Sequence, residues 1–133
     1  MIRNIEEKDY LLLKELYKEI FDVNISFNEE FKYIKVYVDN DNIIGFIDYS
    51  IIYDRAEINY IYVLDNYQRQ GIATTLLNDM ISNLNGVVNI TLEVNETNEK
   101  AINFYQKNGF EVVSKREKYY KDGHDAYLMM KVI

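Results

Sequence analysis

The sequence predicts a mixed α+β protein, a layer of about seven strands packed with about four helices. Three observations predict it. Two-residue hydrophobic alternation and 3.6-residue periodicity follow one another in the order strand, helix, three strands, helix, strand, helix, two strands. Proline is absent and only five glycines occur, so each glycine is informative about a cap, a turn or a close approach of the backbone. No repeat, linker or low-complexity tract divides the chain, so residues 1–133 read as one domain.

A short strand over residues 2–5 opens the chain. A helix over 8–21 follows, with Leu12, Leu13, Leu16, Tyr17 and Ile20 on its buried side and Glu15, Lys18 and Glu19 outside. Residues 22–30 form a polar connection that is expected to hold a short second helix from Ser26. An alternating strand over 31–38 ends at the turn Asp39-Asn40-Asp41-Asn42, and strands over 43–53 and 57–63 complete a meander. Gly45 marks a bulge or a turn-proximal position within it. A helix reaches about residue 83, and a buried-looking strand runs over 87–94. Asn98 caps a helix to about residue 108, with Ala101, Ile102 and Tyr105 inward. Gly86 and Gly109 follow helical patterns, as left-handed C-terminal caps do. Strands over 110–119 and 125–132 close the chain as a hairpin, turned by Lys121-Asp122-Gly123-His124.

Composition narrows the function. A chain of 133 residues removes roughly two-thirds of its unfolded surface from water. The net charge of −7 argues against nucleic acid and favours cationic ligands such as amines. The absence of cysteine excludes disulfides, thiolate metal sites and a cysteine nucleophile, and the single His124 excludes a multi-histidine metal site. We expect no metal, no membrane segment and, from a start that is no signal peptide, a cytoplasmic protein, monomeric or weakly dimeric.

The stretch from Tyr60 to Met80 organises the rest. Ile58, Tyr60, Ile61 and Val63 form an apolar run, Asp65 and Asn66 a polar corner, and Gln68-Arg69-Gln70-Gly71-Ile72-Ala73 leads into a helix with Ile72, Leu76 and Met80 on one face. Strand, glycine-bearing loop and helix N-terminus together aim free backbone N–H groups and the positive end of the helix dipole at one point. A diphosphate suits such a point. Gly71 is the one glycine that no cap or turn rule demands, which leaves it for the ligand. The loop lacks the Gly-Lys-Ser/Thr of a P-loop and the three glycines of a dinucleotide fingerprint.

The loop is similar to Q/R-x-x-G-x-G/A, the acetyl-CoA pyrophosphate loop of the GNAT acetyltransferases. Leu92-Glu93-Val94 through Asn98, Ala101, Tyr105, Gly109 and Phe110 resembles that family's L-E-V-x-x-x-N-x-x-A-x-x-x-Y-x-x-x-G-F block. The tail from Tyr119 to Met129 resembles the branch that acetylates protein N-termini, which includes the RimI-type ribosomal-protein alanine acetyltransferase. The resemblance covers nearly the whole chain. It implies a central mixed, mostly antiparallel sheet in the GNAT fold, and acetyl-CoA as co-substrate. It also implies that cofactor contacts come from Ile61, Tyr62, Val63, Gln68, Arg69, Gln70, Gly71, Ile72, Ala73, Thr74, Asn98 and Tyr105. The strands over 57–63 and 87–94 should splay so that pantetheine lies against free backbone groups. The chain departs from its relatives in having Leu64-Asp65 where a proline is common, and in lacking Pro-Trp within 21–27.

The chemistry is consistent with the resemblance. Deprotonating a peptide α-amine at pH 7 costs roughly 1–1.5 kcal/mol, and a lysine roughly 4–5 kcal/mol. One carboxylate, acting directly or through water, suffices for the former. Glu93, a lone acid among Ile90, Leu92 and Val94, is the candidate base, with a solvent-facing strand residue as the alternative. Tyr105 is the candidate acid for the departing thiolate, or else a core tyrosine. Asn98 serves as a helix cap, as an amide partner of pantetheine, or as both. Tyr119, Tyr120 and Tyr33 are the expected substrate contacts, their phenols reaching a peptide backbone. The expected acceptor is a protein N-terminus. The rivals are a lysine or small-amine acetyltransferase and a CoA-binding regulatory module without catalysis.

Overall fold

The computed structural model of the chain describes residues 1–133. The short strand β1 (Ile2–Asn4) leads through a single 3-10 turn (Glu7–Asp9) into α1 (Tyr10–Phe21). Arg3 ties this entry down: its guanidinium donates to both Asp9 oxygens, at 2.7 and 3.1 Å. After α1 come β2 (Lys32–Asp39), β3 (Asn42–Ile52) and β4 (Arg55–Val63), then a 3-10 turn at Asp65–Tyr67 and α2 (Ile72–Asn83). β5 (Asn89–Asn95), α3 (Glu99–Lys107), β6 (Glu111–Arg116) and β7 (Ala126–Val132) complete the chain.

The strands make one seven-stranded sheet in the order β1-β2-β3-β4-β5-β7-β6. Every neighbouring pair is antiparallel except β4 with β5. No helix is long and apolar enough to cross a membrane. There are three α-helices where about four were expected. The missing one is the short helix from Ser26. Ile25 is buried and the Phe27 ring stacks flat on Tyr10, centroids 4.2 Å apart. With both side chains anchored, too few residues remain before β2 to nucleate a helix.

The sheet separates two apolar clusters. On one face α1 lays Leu13 and Tyr17 against Ile34, Val36 and Phe46. On the other, Leu76, Leu77 and Met80 of α2 and Tyr105 of α3 pack on Ile47, Ile58, Ile90 and Leu92. Gly45 lies beside the register shift between β2 and β3, and a Cβ there would stand 3.0 Å from the Tyr62 carbonyl oxygen.

Two irregularities open the sheet at its centre. In the β3–β4 ladder Asp48 faces Tyr60 and Tyr49 faces Ile58, so Asn59 is an extra residue in β4. The bulge changes the phase of the strand. Ala56 and Ile58 point to the α2 face, Tyr60 and Tyr62 to the α1 face, while Val63 returns to the α2 face. Close by, the parallel ladder of β4 with β5 stops after Arg55–Asn89, Ala56–Ile90 and Glu57–Thr91. Beyond that point the two strands part.

Candidate active site

A cleft of about 690 Å³ lies where β4 and β5 part, bounded by the loop before α2 and by one side of α3. Ile61, Tyr62, Val63, Gln68, Arg69, Gly71, Ile72, Ala73, Thr74, Asn98 and Tyr105 all line it. Gln70, expected among them, is exposed and does not.

The cleft has a consistent charge. Its only ionisable side chains besides tyrosines are Arg69, Lys100 and Lys107, with no carboxylate, in a chain of net charge −7. Lys100 and Lys107 are seven residues apart on α3, two turns along the same face. Lys100 Nζ donates to Gln68 Oε1 at 2.7 Å, and Gln68 Nε2 donates to the Val63 carbonyl at 2.8 Å. These bonds tie the loop to β4 and α3 and occupy one of the backbone acceptors expected to be free.

Gly71 has φ +80°, so a backbone rule does demand glycine here, contrary to expectation. A Cβ on it would meet nothing within 4 Å, which leaves that side of the loop open. The α2 N-terminus has no side-chain cap, and its backbone bonding begins with Thr75 N donating to Gly71 O at 3.0 Å. The preceding N–H groups remain available to an anion. Asn98 Oδ1 accepts from Ala101 N at 3.2 Å, so capping is established and its amide nitrogen is left for the cleft.

Tyr105 is 6% exposed, and its rings of contact are Phe104 and Phe110. Burial alone pushes its phenol well above the ordinary value, so it stays protonated. Glu93 approaches from the other face of the sheet. Leu92 and Val94 belong to the α2-side cluster, and alternation turns Glu93 toward the α1 side. There it joins Glu29, Lys32, Glu57, Asn59 and Tyr60 around a smaller pocket of about 260 Å³.

Arg116 pairs with Glu93 at 3.2 Å and stands over the Tyr119 ring. The Tyr119 phenol is raised first by its hydrogen bond to Glu93; Tyr120 is raised by burial and then by the Glu93 charge. The two rings meet edge to face, 5.0 Å apart. Glu93, Tyr119 and Tyr120 are therefore one cluster. Both tyrosines lie past the end of β6, in the loop before β7, although the strand was expected to run on through Tyr119. Tyr33 does not join them. It pairs with Tyr49 across β2–β3 and stacks on that ring at 5.5 Å, on the α2 face. His124 is exposed in its turn, 3.8 Å from Glu96.

Sequence reasoning missed the side chains around Glu93. Asp48, fully buried, accepts from Tyr17 Oη at 2.7 Å and Asn59 Nδ2 at 3.1 Å, with Lys32 Nζ at 3.3 Å. Burial, followed by the Asp48 charge, raises the Tyr60 phenol.

Strands that part beside a glycine-bearing helix N-terminus, in a seven-stranded sheet of this order, match the fold expected of the N-acetyltransferase class. The profile of the Acetyltransferase (GNAT) family matches residues 1–110, and the chain belongs to that family. It is similar to an N-alpha-acetyltransferase of the archaeon Sulfurisphaera tokodaii, 42% identical over 78 residues, 56% of this chain and 47% of the relative. The alignment thus spans about half the length of that relative. N-alpha-acetyltransferase 50 of Danio rerio is 35% identical over 136 residues, covering 90% of this chain and 80% of its own. The crystal structure of the ribosomal-protein-S18-alanine N-acetyltransferase from Escherichia coli superposes with a TM-score of 0.87 at 28% identity, over 100% of this chain and 93% of that one.

Proposed function

We propose that the protein transfers the acetyl group of acetyl-CoA to the α-amine of a protein or peptide. The observation that carries this reading is the cluster of Glu93, Tyr119 and Tyr120 on one side of the parted strands, opposite a cleft whose charged side chains are all cations. The names of the three similar proteins given above, two N-alpha-acetyltransferases and a ribosomal-protein-alanine N-acetyltransferase, support the acceptor class.

The cleft fits acetyl-CoA by the chemistry of its donors. Arg69, the N–H groups from Gly71 to Thr74, and Lys100 and Lys107 would hold phosphate; the flank of Ile61–Val63 and the Asn98 amide would hold the pantetheine arm. Bound acetyl-CoA supplies an activated thioester whose carbonyl carbon accepts the amine. Glu93 receives the proton of the incoming ammonium and passes it on to solvent, and the net deprotonation of an α-amine near pH 7 costs roughly 1–1.5 kcal/mol. Tyr105 holds a proton in a dry site at the thiolate. Desolvation raises a thiol as it raises a phenol, so burial preserves the match between donor and leaving group. Tyr119 and Tyr120 orient the peptide. Tyr33, on the opposite face, has no part in this reading.

Mass spectrometry of a peptide library, each peptide also bearing one internal lysine, tests it after incubation with acetyl-CoA. Label on the first nitrogen, lost when that nitrogen is blocked, is expected. Label chiefly on lysine, or only on added polyamines, would replace the acceptor class while keeping the chemistry. No acetyl transfer alongside tight CoA binding would leave a regulatory module.

A further inference from the structure

The bulge in β4 is held by a charge that packing does not require. Asp48 lies between Ile47 and Tyr49 on β3 and has no exposed surface. A carboxylate taken out of water is costly unless every partner is in place, and an apolar residue of similar size would pack there at less cost. Its partners come from three other elements: Tyr17 of α1 at 2.7 Å, Lys32 of β2 at 3.3 Å, and Asn59 of β4 at 3.1 Å.

The third partner is the informative one. Asn59 is the residue left unmatched in the β3–β4 register, and Asp48 is the β3 residue directly before the slip. The same amide also donates to Ser50 Oγ at 2.9 Å, so two β3 side chains grip the bulge residue. A one-residue slip turns every later side chain to the other face. Without the bulge, Tyr60 and Tyr62 would turn to the α2 face and Val63 away from it. The bulge also follows directly on the last β4–β5 pair, Glu57–Thr91, where the gap opens. Its residue lines the pocket beside Glu93, and the strand beyond it lines the cleft.

We propose that Asp48 is a positioning residue: acting through Asn59, it fixes the β4 bulge and thereby the gap into which donor and acceptor both reach. Its catalytic consequence rests on the acetyltransferase reading; its structural consequence does not. Asn59 is exposed, so Asn59→Ala releases the clamp without opening the core. Its melting temperature is expected to stay within a few degrees of the parent. Its kcat should fall about tenfold or more, since a shift of about 1 Å in reacting groups costs up to 10²-fold. Calorimetry should show acetyl-CoA Kd rising about threefold, and amide exchange of residues 60–63 should quicken while that of β2 does not. Asp48→Leu, which offers Asn59 no acceptor, should lower kcat as well, and adding Asn59→Ala to it should cost little more, because both remove the Asp48–Asn59 contact.

Parental kcat, Kd and exchange in Asn59→Ala would overturn the proposal, as would fully additive losses in the double variant. If Asp48→Leu does not fold, the Asn59→Ala measurements decide alone. If the protein acetylates no amine, the exchange and affinity measurements still decide the clamp. If activity is present but those two are unchanged, the clamp fails and the acetyltransferase reading stands.

Discussion

Arg116 Nη2 lies 3.2 Å from Glu93 Oε1, and the same guanidinium stands 5.4 Å from the centre of the Tyr119 ring. The Arg116 side chain is 58% exposed and that of Glu93 19%, so the pair is solvent-screened on one side and contributes little to stability. On the proposed reading its effect would fall on the acceptor: an incoming ammonium would meet Glu93 already paired and would have to share or displace the guanidinium. Arg116→Ala is therefore expected to leave the melting temperature unchanged and to lower KM for a cationic peptide about two- to fivefold, a gain that fades in high salt. If Glu93 is the base, Glu93→Gln should lower kcat about 10²-fold. Steady-state kinetics at two ionic strengths separate the two roles.

Tyr105 carries a hydroxyl whose only perturbation is burial, with no protein group bonded to it. Tyr105→Phe removes little packing and no internal hydrogen bond, so unfolding free energy should change by less than about 1 kcal/mol. If the hydroxyl serves the departing thiolate, kcat should fall about 10²-fold while acetyl-CoA affinity by calorimetry stays the same. A parental kcat would return Tyr105 to the role of a core tyrosine.

Much of this site was legible because it rests on local chemistry. That Gln68, Arg69 and Gly71 to Thr74 sit together at one cleft could be read from a glycine at the change of hydrophobic period, Gln70 excepted, and Asn98 as a cap from its place before a helix. The parts that were not legible depend on partner strands. Alternation assigns parity within a strand but not which face of the sheet that parity meets, and Tyr33, expected beside Tyr119, pairs with Tyr49 and sits on the other face. Asp48 carried the same signal as Glu93, a lone acid in an apolar strand, and that signal could have found it. Lys32 offered none, since a lysine at a strand start is ordinarily solvated. The short helix expected from Ser26 failed because tertiary anchoring of Ile25 and Phe27 outweighed a local start signal.

The cation-lined cleft predicts how the cofactor is held. Lys100→Ala and Lys107→Ala should each weaken acetyl-CoA binding several-fold and reduce the dependence of Kd on salt, because each removes one charge facing phosphate. Gly71→Val tests a different property. No atom obstructs a side chain there, but φ +80° costs a β-branched residue about 1–3 kcal/mol, so the loop should rearrange and acetyl-CoA should lose its effect on the melting temperature. Gly71→Asn, which tolerates the left-handed conformation, should retain more of that effect.

The Arg3–Asp9 pair predicts the acid limit of stability at the start of the chain. Asp9 is 5% exposed, and besides Arg3 it accepts from the Glu6 backbone N–H at 2.9 Å. The hydrogen bond from Arg3 holds its carboxyl below the usual range, outweighing the cost of burial. A group whose folded-state pKa is depressed contributes stability that is complete above the unfolded value, about 3.9, and is lost as pH falls through the folded value. Asp9→Asn should therefore cost about 2 kcal/mol at pH 7. In acid, once the pH has fallen through the folded value and the parent carboxyl is protonated too, the two proteins should converge. Urea unfolding of both at pH 7 and in acid measures this. A difference that persists undiminished in acid would mean that Asp9 acts through packing and its turn geometry and not through its charge.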